Sequence, residues 1–179
     1  MAHVLDIELE HNRVPNCRSL QAMTPTANDI QIRLDFDRHA PSFSAAMSRL
    51  DGAATKELDR VGVDARLREL VRLRASQLNG CAYCVAVHTN DARAAGETDV
   101  RLALLPVWRE TALFDERERA ALDLTETITR VAETHVPAKA WAAAAAHFSA
   151  DELGALVALI VTINAWNAIG VSTRAWPVP

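Results

Sequence analysis

A chain of 179 residues, half of them hydrophobic, is long enough for one domain with a real core and too apolar to be disordered throughout. Its net charge of −4 offers no basic footprint to nucleic acid, and three cysteines are too sparse and odd a set for a secreted disulfide framework. Residues Met1 to Asp6 lack the basic and apolar regions of a signal peptide, and the longest apolar run, Leu153 to Ile163, is too short to span a bilayer before Asn164 ends it. The expectation is a cytoplasmic protein without membrane contact.

Residues 1–26, with Pro15, Cys17 and Pro25, show no clear period and read as an extended arm over the surface or over a neighbouring subunit, with Cys17 a passive small residue. Residues 27–179 read as the folded domain. Asn28-Asp29 is placed to cap a helix through Ile30, Ile32 and Leu34. Pro41 suits a helix start leading Ser42 to Leu50, Gly52 a stop, and Ala54 to Leu58 continue helically to the break at Gly62. Asp64 caps a strong helix to Leu78, with Leu67, Leu70, Val71, Arg74 and Leu78 on its stripe and Leu73 well off it, so burial on more than one side is expected. Asn79-Gly80 breaks that helix, and a second runs from Cys81 to Ala95 before Gly96.

Thr98 or Asp99 starts a short helix, Val100 to Leu105, closed by Pro106. Asp115 with Glu118, and Ser149 with Glu152, have the spacing of capping boxes. The first opens a helix through Ala120, Leu124, Ile128 and Val131; the second opens the last helix, to Val171, apolar nearly all round and so buried or in a subunit contact. Between them Pro137 opens an alanine-rich helix to Phe148. No strand-type alternation, repeat or linker appears, so the fold class is all-α in a single domain.

The chemistry concentrates in Asn79-Gly80-Cys81-Ala82-Tyr83-Cys84-Val85-Ala86-Val87-His88. At about 100° per residue, Cys81, Cys84 and His88 fall within roughly 60° of one another, on a stripe shared with Val85, Ala92 and Ala95. Cysteines three apart at a helix start have Cα atoms near 5.5 Å, the range of a disulfide. The helix N-terminus favours thiolate, and a histidine four residues past Cys84 can act on it as base or hydrogen-bond partner. A thiolate, a resolving thiol and a proton carrier are the parts that reduce a peroxide through sulfenic acid and disulfide.

Other readings stay open on the residues alone. Zinc held by Cys81, Cys84, His88 and one more ligand is the first rival, although no second Cys/His pair completes the set. Buried structural cysteines with a satisfied core histidine are the second, and a thioredoxin-type site lacks its βαβ setting. Trp166 with Asn164 and Asn167 reads as packing of the last helix more than as pocket lining. Trp108, Trp141 and Trp176 read as core, interface or tail anchors, and His135 and His147 as surface groups at helix ends.

Leu67-Arg68-Glu69-Leu70-Val71 and the cysteine stretch resemble the alkylhydroperoxidase D (AhpD)-like group of the carboxymuconolactone decarboxylase superfamily. Phe114 to Ala121 and Ile163-Asn164-Ala165-Trp166-Asn167 are similar to it as well, so the likeness covers roughly residues 40–171. The resemblance implies an all-α bundle that assembles as a homo-oligomer, a trimer or hexamer. It implies a peroxidase in which Cys84 attacks the peroxide, Cys81 resolves, and His88 with Glu69 relays protons. It needs no cofactor or metal, only a dithiol reductant such as a lipoyl-bearing or thioredoxin-like protein. On the helical wheel alone Glu69 lies off the apolar stripe, where Arg66 or Arg72 can pair with it. At the position of Tyr83 the group's best-studied members carry a relay histidine. Alternative activities are a lactone decarboxylase, against which the cysteine pair speaks, and a non-enzymatic redox-sensing oligomer.

Overall fold

The computed structural model describes residues 30–178, which form nine α-helices and, among the described residues, no strand. These are α1 (Phe36–His39), α2 (Pro41–Val61), α3 (Ala65–Asn79), α4 (Ala82–Ala94), α5 (Asp99–Leu104), α6 (Glu116–Thr129), α7 (Val131–Thr134), α8 (Ala138–Ala145) and α9 (Ala150–Thr173). The arm expected over residues 1–26, Cys17 within it and the cap at Asn28-Asp29 lie outside the described residues.

The bundle is built around α9, which packs on α2, α3 and α6. Leu58, Val71, Leu124, Leu156, Leu159 and Ile160 are fully enclosed at that junction. A second cluster, with Leu70, Leu73, Leu102, Leu105, Trp108 and Leu122, fills the space between α3, α5 and α6. Helix α3 therefore feeds both clusters, with Leu67 and Val71 in the first and Leu70 and Leu73 in the second.

Local signals set most boundaries. Asp64 caps α3 through the N–H groups of Arg66 and Leu67, and Thr98 caps α5. Both capping boxes are complete, Asp115 with Glu118 on α6 and Ser149 with Glu152 on α9. Gly62 and Gly80 end α2 and α3 in the left-handed conformation, with φ of 70° and 69°.

Five expectations are corrected. Ile30, Ile32 and Leu34 are exposed and not helical; the N–H groups of Arg33 and Leu34 instead donate to the carbonyl of Thr173, one of the free acceptors at the end of α9. Gly52 does not stop a helix: α2 runs through it, because Met47 on one side and Ala54 and Leu58 on the other are buried as one face. That packing outweighs the roughly 1 kcal/mol cost of an interior glycine. Pro106 ends α5 but leads into a 3-10 segment, Leu105–Glu110, where its missing N–H is not required. Helix α6 ends at Thr129, and Val131 falls in the separate α7. Finally, the apolar stretch does not stop at Asn164: α9 carries it on to Thr173, close to the helix end expected at Val171. The helix has 24 residues and an 18-residue stretch of mean hydropathy 1.8, long and apolar enough by length and composition to cross a membrane. In this fold they supply the core.

Candidate active site

The turn at Asn79-Gly80 folds α4 back along α3, and the site forms between them. With Gly80 left-handed, Cys81 is extended (φ −83°, ψ 95°) and serves as N-cap of α4. Its Sγ accepts the N–H of Cys84 at 3.3 Å. Cys81 and Cys84 are bonded to each other as a disulfide, with Cα atoms 5.3 Å apart. Both sit at the positive end of α4, and both are buried, at 2% and 5% exposure. The cysteine stripe is thus an interior face at Cys81, Cys84 and Ala92, with Val85, His88 and Ala95 partly covered.

One turn beyond Cys84, the His88 ring places Nδ1 2.9 Å from Glu69 Oε2. The other carboxylate oxygen, Oε1, accepts from Arg72 Nη1 at 2.6 Å. Arg72 is steadied in turn by Thr55 and Asp51 on α2. Arg66 turns to Asp64 instead. Glu69 is only 8% exposed although it lies off the apolar stripe of α3, because its side of α3 is the one α4 covers. The helical wheel of a single helix does not carry that information.

Burial pushes the Glu69 carboxyl up, but the hydrogen bond from His88 and the charge of Arg72 together outweigh it, so the group is held below the ordinary glutamate range. Asp91, one turn past His88, is shifted the other way by its partial burial and by the negative charge of Glu69. Ligand atoms of Glu69, His88 and Asp91 lie within 4.8 Å of one another, so these three are the residues that could hold a cation. Arg72 already occupies one oxygen of Glu69, which opposes a second positive charge there. In the disulfide form Cys81 and Cys84 have no thiolate to offer zinc, and His88 Nδ1 faces Glu69.

Behind the cysteines an amide network ties α3 to α9. Asn79 Nδ2 donates to Asn164 Oδ1 at 2.7 Å and to Asn167 Oδ1 at 3.0 Å, and Asn167 Nδ2 donates to Ser76 Oγ at 3.1 Å. Asn164 and Asn167 thus brace the end of α3 just before Cys81. Trp166 does pack, on Trp176, with ring centres 5.7 Å apart, and Trp176 also meets Tyr83 at 5.5 Å. Tyr83 is 41% exposed. Trp176 is a tail anchor, its Nε1 donating to Asp37 Oδ2 at 3.1 Å, and Trp108 is core. Gly170, Asp37 and Asp91 escaped the sequence reading. A Cβ added at Gly170 would lie 3.1 Å from Cys81 Sγ and 3.4 Å from the Trp176 ring.

An all-α bundle with a cysteine pair at a helix start, backed by a buried Glu–His pair, defines an AhpD-type scaffold. Residues 41–127 match the model of the carboxymuconolactone decarboxylase family. YdfG of Bacillus subtilis, an uncharacterized protein, is 38% identical over 110 residues, which are 62% of this chain and 75% of that protein. A solved structure from Agrobacterium tumefaciens, of unknown function and provisionally assigned to the antioxidant defence protein AhpD, superposes with a TM-score of 0.77. It is 34% identical, and the match covers 83% of this chain and all of that one. The debrominase Bmp8, solved with a tribromopyrrole, shares the fold at a TM-score of 0.63 and 16% identity, over 78% of this chain and 72% of its own. The chain belongs to the carboxymuconolactone decarboxylase family, as an AhpD-like member.

Proposed function

We propose that this protein is a thiol-dependent peroxidase that cycles Cys81 and Cys84 through a disulfide. The observation that supports it most is the meeting of three features between α3 and α4: sulfurs within bonding distance at the start of α4, a histidine one turn on, and a buried carboxylate from α3 holding that histidine's Nδ1. A shared scaffold does not select the reaction, as the debrominase relative makes plain. The side chains must.

In this reading the Cys84 thiolate attacks the terminal oxygen of a hydroperoxide and the O–O bond breaks. The alkoxide leaves as alcohol with a proton from His88, and Cys84 becomes a sulfenic acid. The Cys81 sulfur then attacks Cys84, expelling water and closing the disulfide. Glu69 fixes Nδ1 of His88, leaving Nε2 to carry the proton, and stabilises the charged ring. A dithiol reductant, lipoyl-bearing or thioredoxin-like, reopens the bond in a reducing cytoplasm. No cofactor or metal enters. The proposed assembly is a homo-oligomer, trimer or hexamer. In its support, an apolar groove lined by Ile128, Val136, Ala138, Trp141 and Val157 lies open on the α8–α9 side.

The test is peroxide-dependent loss of two thiols per chain, followed over repeated cycles with a dithiol. Cys84→Ser abolishes it under this reading, while Cys81→Ser stops at a trappable sulfenic acid. A Cys84→Ser protein that consumes peroxide as fast as the wild type sinks the proposal. Tyr83 favours a second reading, a redox sensor: a phenol does not relay protons at neutral pH as a histidine does. One round of disulfide formation without turnover would select it.

A further inference from the structure

Reduction of the Cys81–Cys84 bond requires a thiolate to reach one sulfur along the S–S axis, yet both cysteines are buried. Over Cys81 the cover has two layers. The first is the bare Cα of Gly170, which allows α9 to lie against the sulfur. The second is the six-membered ring of Trp176, whose two nearest carbons come within 3.4 and 3.5 Å of the position a Gly170 Cβ would take. Tyr83, from the cysteine turn itself, and Trp166, from α9, flank that ring.

These pieces differ in what holds them. Helices α3, α4 and α9 are core elements braced by the Asn79, Asn164 and Asn167 amides. The segment 174–178 that carries Trp176 leaves the end of α9 and is fastened at its rim. Thr173 accepts from Arg33 and Leu34 at 2.9 and 3.1 Å, Ala175 donates to Thr173 Oγ1 at 3.2 Å, and Trp176 donates to Asp37. Such exposed bonds open far more readily than a packed helix. Trp176 is therefore the part of the cover that can swing away while the bundle stays intact.

We infer that Trp176 is the specificity-determining residue of the reductive step: its ring screens Cys81 and sets which thiols reach the disulfide. With Trp176 displaced, a dithiol's first thiolate attacks Cys81 and the S–S bond breaks. Cys84 departs as a thiolate beside His88. The dithiol's second sulfur then displaces Cys81, leaving both protein thiols reduced and the reductant as its own disulfide. Slender dithiols pass the ring more easily than a thiol presented on a globular surface. The inference rests on the proposed redox cycle of Cys81 and Cys84, but not on which oxidant closes the bond.

The experiment takes the full chain in its oxidised form and measures thiol release with excess dithiothreitol, and separately with reduced thioredoxin. Trp176→Ala is expected to accelerate reduction by about tenfold, the scale of losing an aromatic stack and its tether, and more with thioredoxin than with dithiothreitol. Trp176→Phe, which keeps a ring, stays close to wild type. Asp37→Ala keeps the ring but loses the acceptor, falls in between, and decides the matter if Trp176→Ala does not fold. Equal rates in wild type and Asp37→Ala, or in wild type and a folded Trp176→Ala, overturn the inference. Peroxide appears in none of these measurements, so a protein with no peroxidase turnover can still show the screen. A working peroxidase with unchanged reduction rates loses the screen alone.

Discussion

Glu69 keeps its charge inside the protein because each of its oxygens has a partner, Arg72 on one and His88 on the other. Replacing it with alanine leaves Arg72 without that anion and His88 without its acceptor, and is expected to cost about 3 kcal/mol of stability. The pH dependence has a definite sign. The folded carboxyl titrates below its unfolded value of about 4.3, so its contribution is complete above that value and is lost as the pH falls through the lower, folded value. Urea unfolding of wild type and Glu69→Ala between pH 3 and 7 should show a constant gap near neutrality that narrows on the acid side. A gap independent of pH would mean that the ionised form adds nothing. As a positioning residue, Glu69 also predicts that Glu69→Gln shifts the pH profile of peroxide consumption while leaving Cys84 able to react.

At the scale of elements, α3 and α9 are joined by amides and not by apolar packing alone. Asn167 is fully buried, with its amide shared between Ser76 and Asn79. Asn167→Ala removes one hydrogen bond from each partner and leaves a small buried cavity, and is expected to cost about 2–3 kcal/mol, read as a fall in the thermal midpoint; a change below about 0.5 kcal/mol would show that water replaces the amide. These elements also show what a sequence can disclose. Asp115 with Glu118 and Ser149 with Glu152 were legible because a capping box is closed by residues three apart. The cysteine helix was legible for the same reason: its spacing and its N-cap are local. Gly52 and Ile30 misled, because helix α2 is held by burial on both sides of the glycine, and the segment after Ile30 is tied at Arg33 and Leu34 to the far end of the chain. Glu69 and Gly170 needed the angle between two helices, which no wheel of one helix contains.

Considered whole, the molecule places its longest and most apolar helix at the centre and still leaves part of it uncovered. Val161 on α9, Trp141 on α8 and Val131 on α7 are exposed, and Trp141 at 44% borders the apolar groove. A second copy of the chain is the occupant proposed for that face. Sedimentation of the wild type is expected to show an oligomer, and Trp141→Glu to shift it toward smaller species with the helical content unchanged. A wild type that sediments as a monomer at tens of micromolar removes the assembly from the proposal.

The two bonded cysteines are separated by only three positions in the sequence. A covalent link across so short a span restrains the unfolded chain little, about 2 kcal/mol by loop-closure entropy, well under what a link between distant segments supplies. Opening it therefore costs the fold less than breaking a link between distant segments would. In the proposed cycle electrons pass at one helix tip with that smaller cost to the architecture, so the bond is suited to chemistry more than to serving as a rivet.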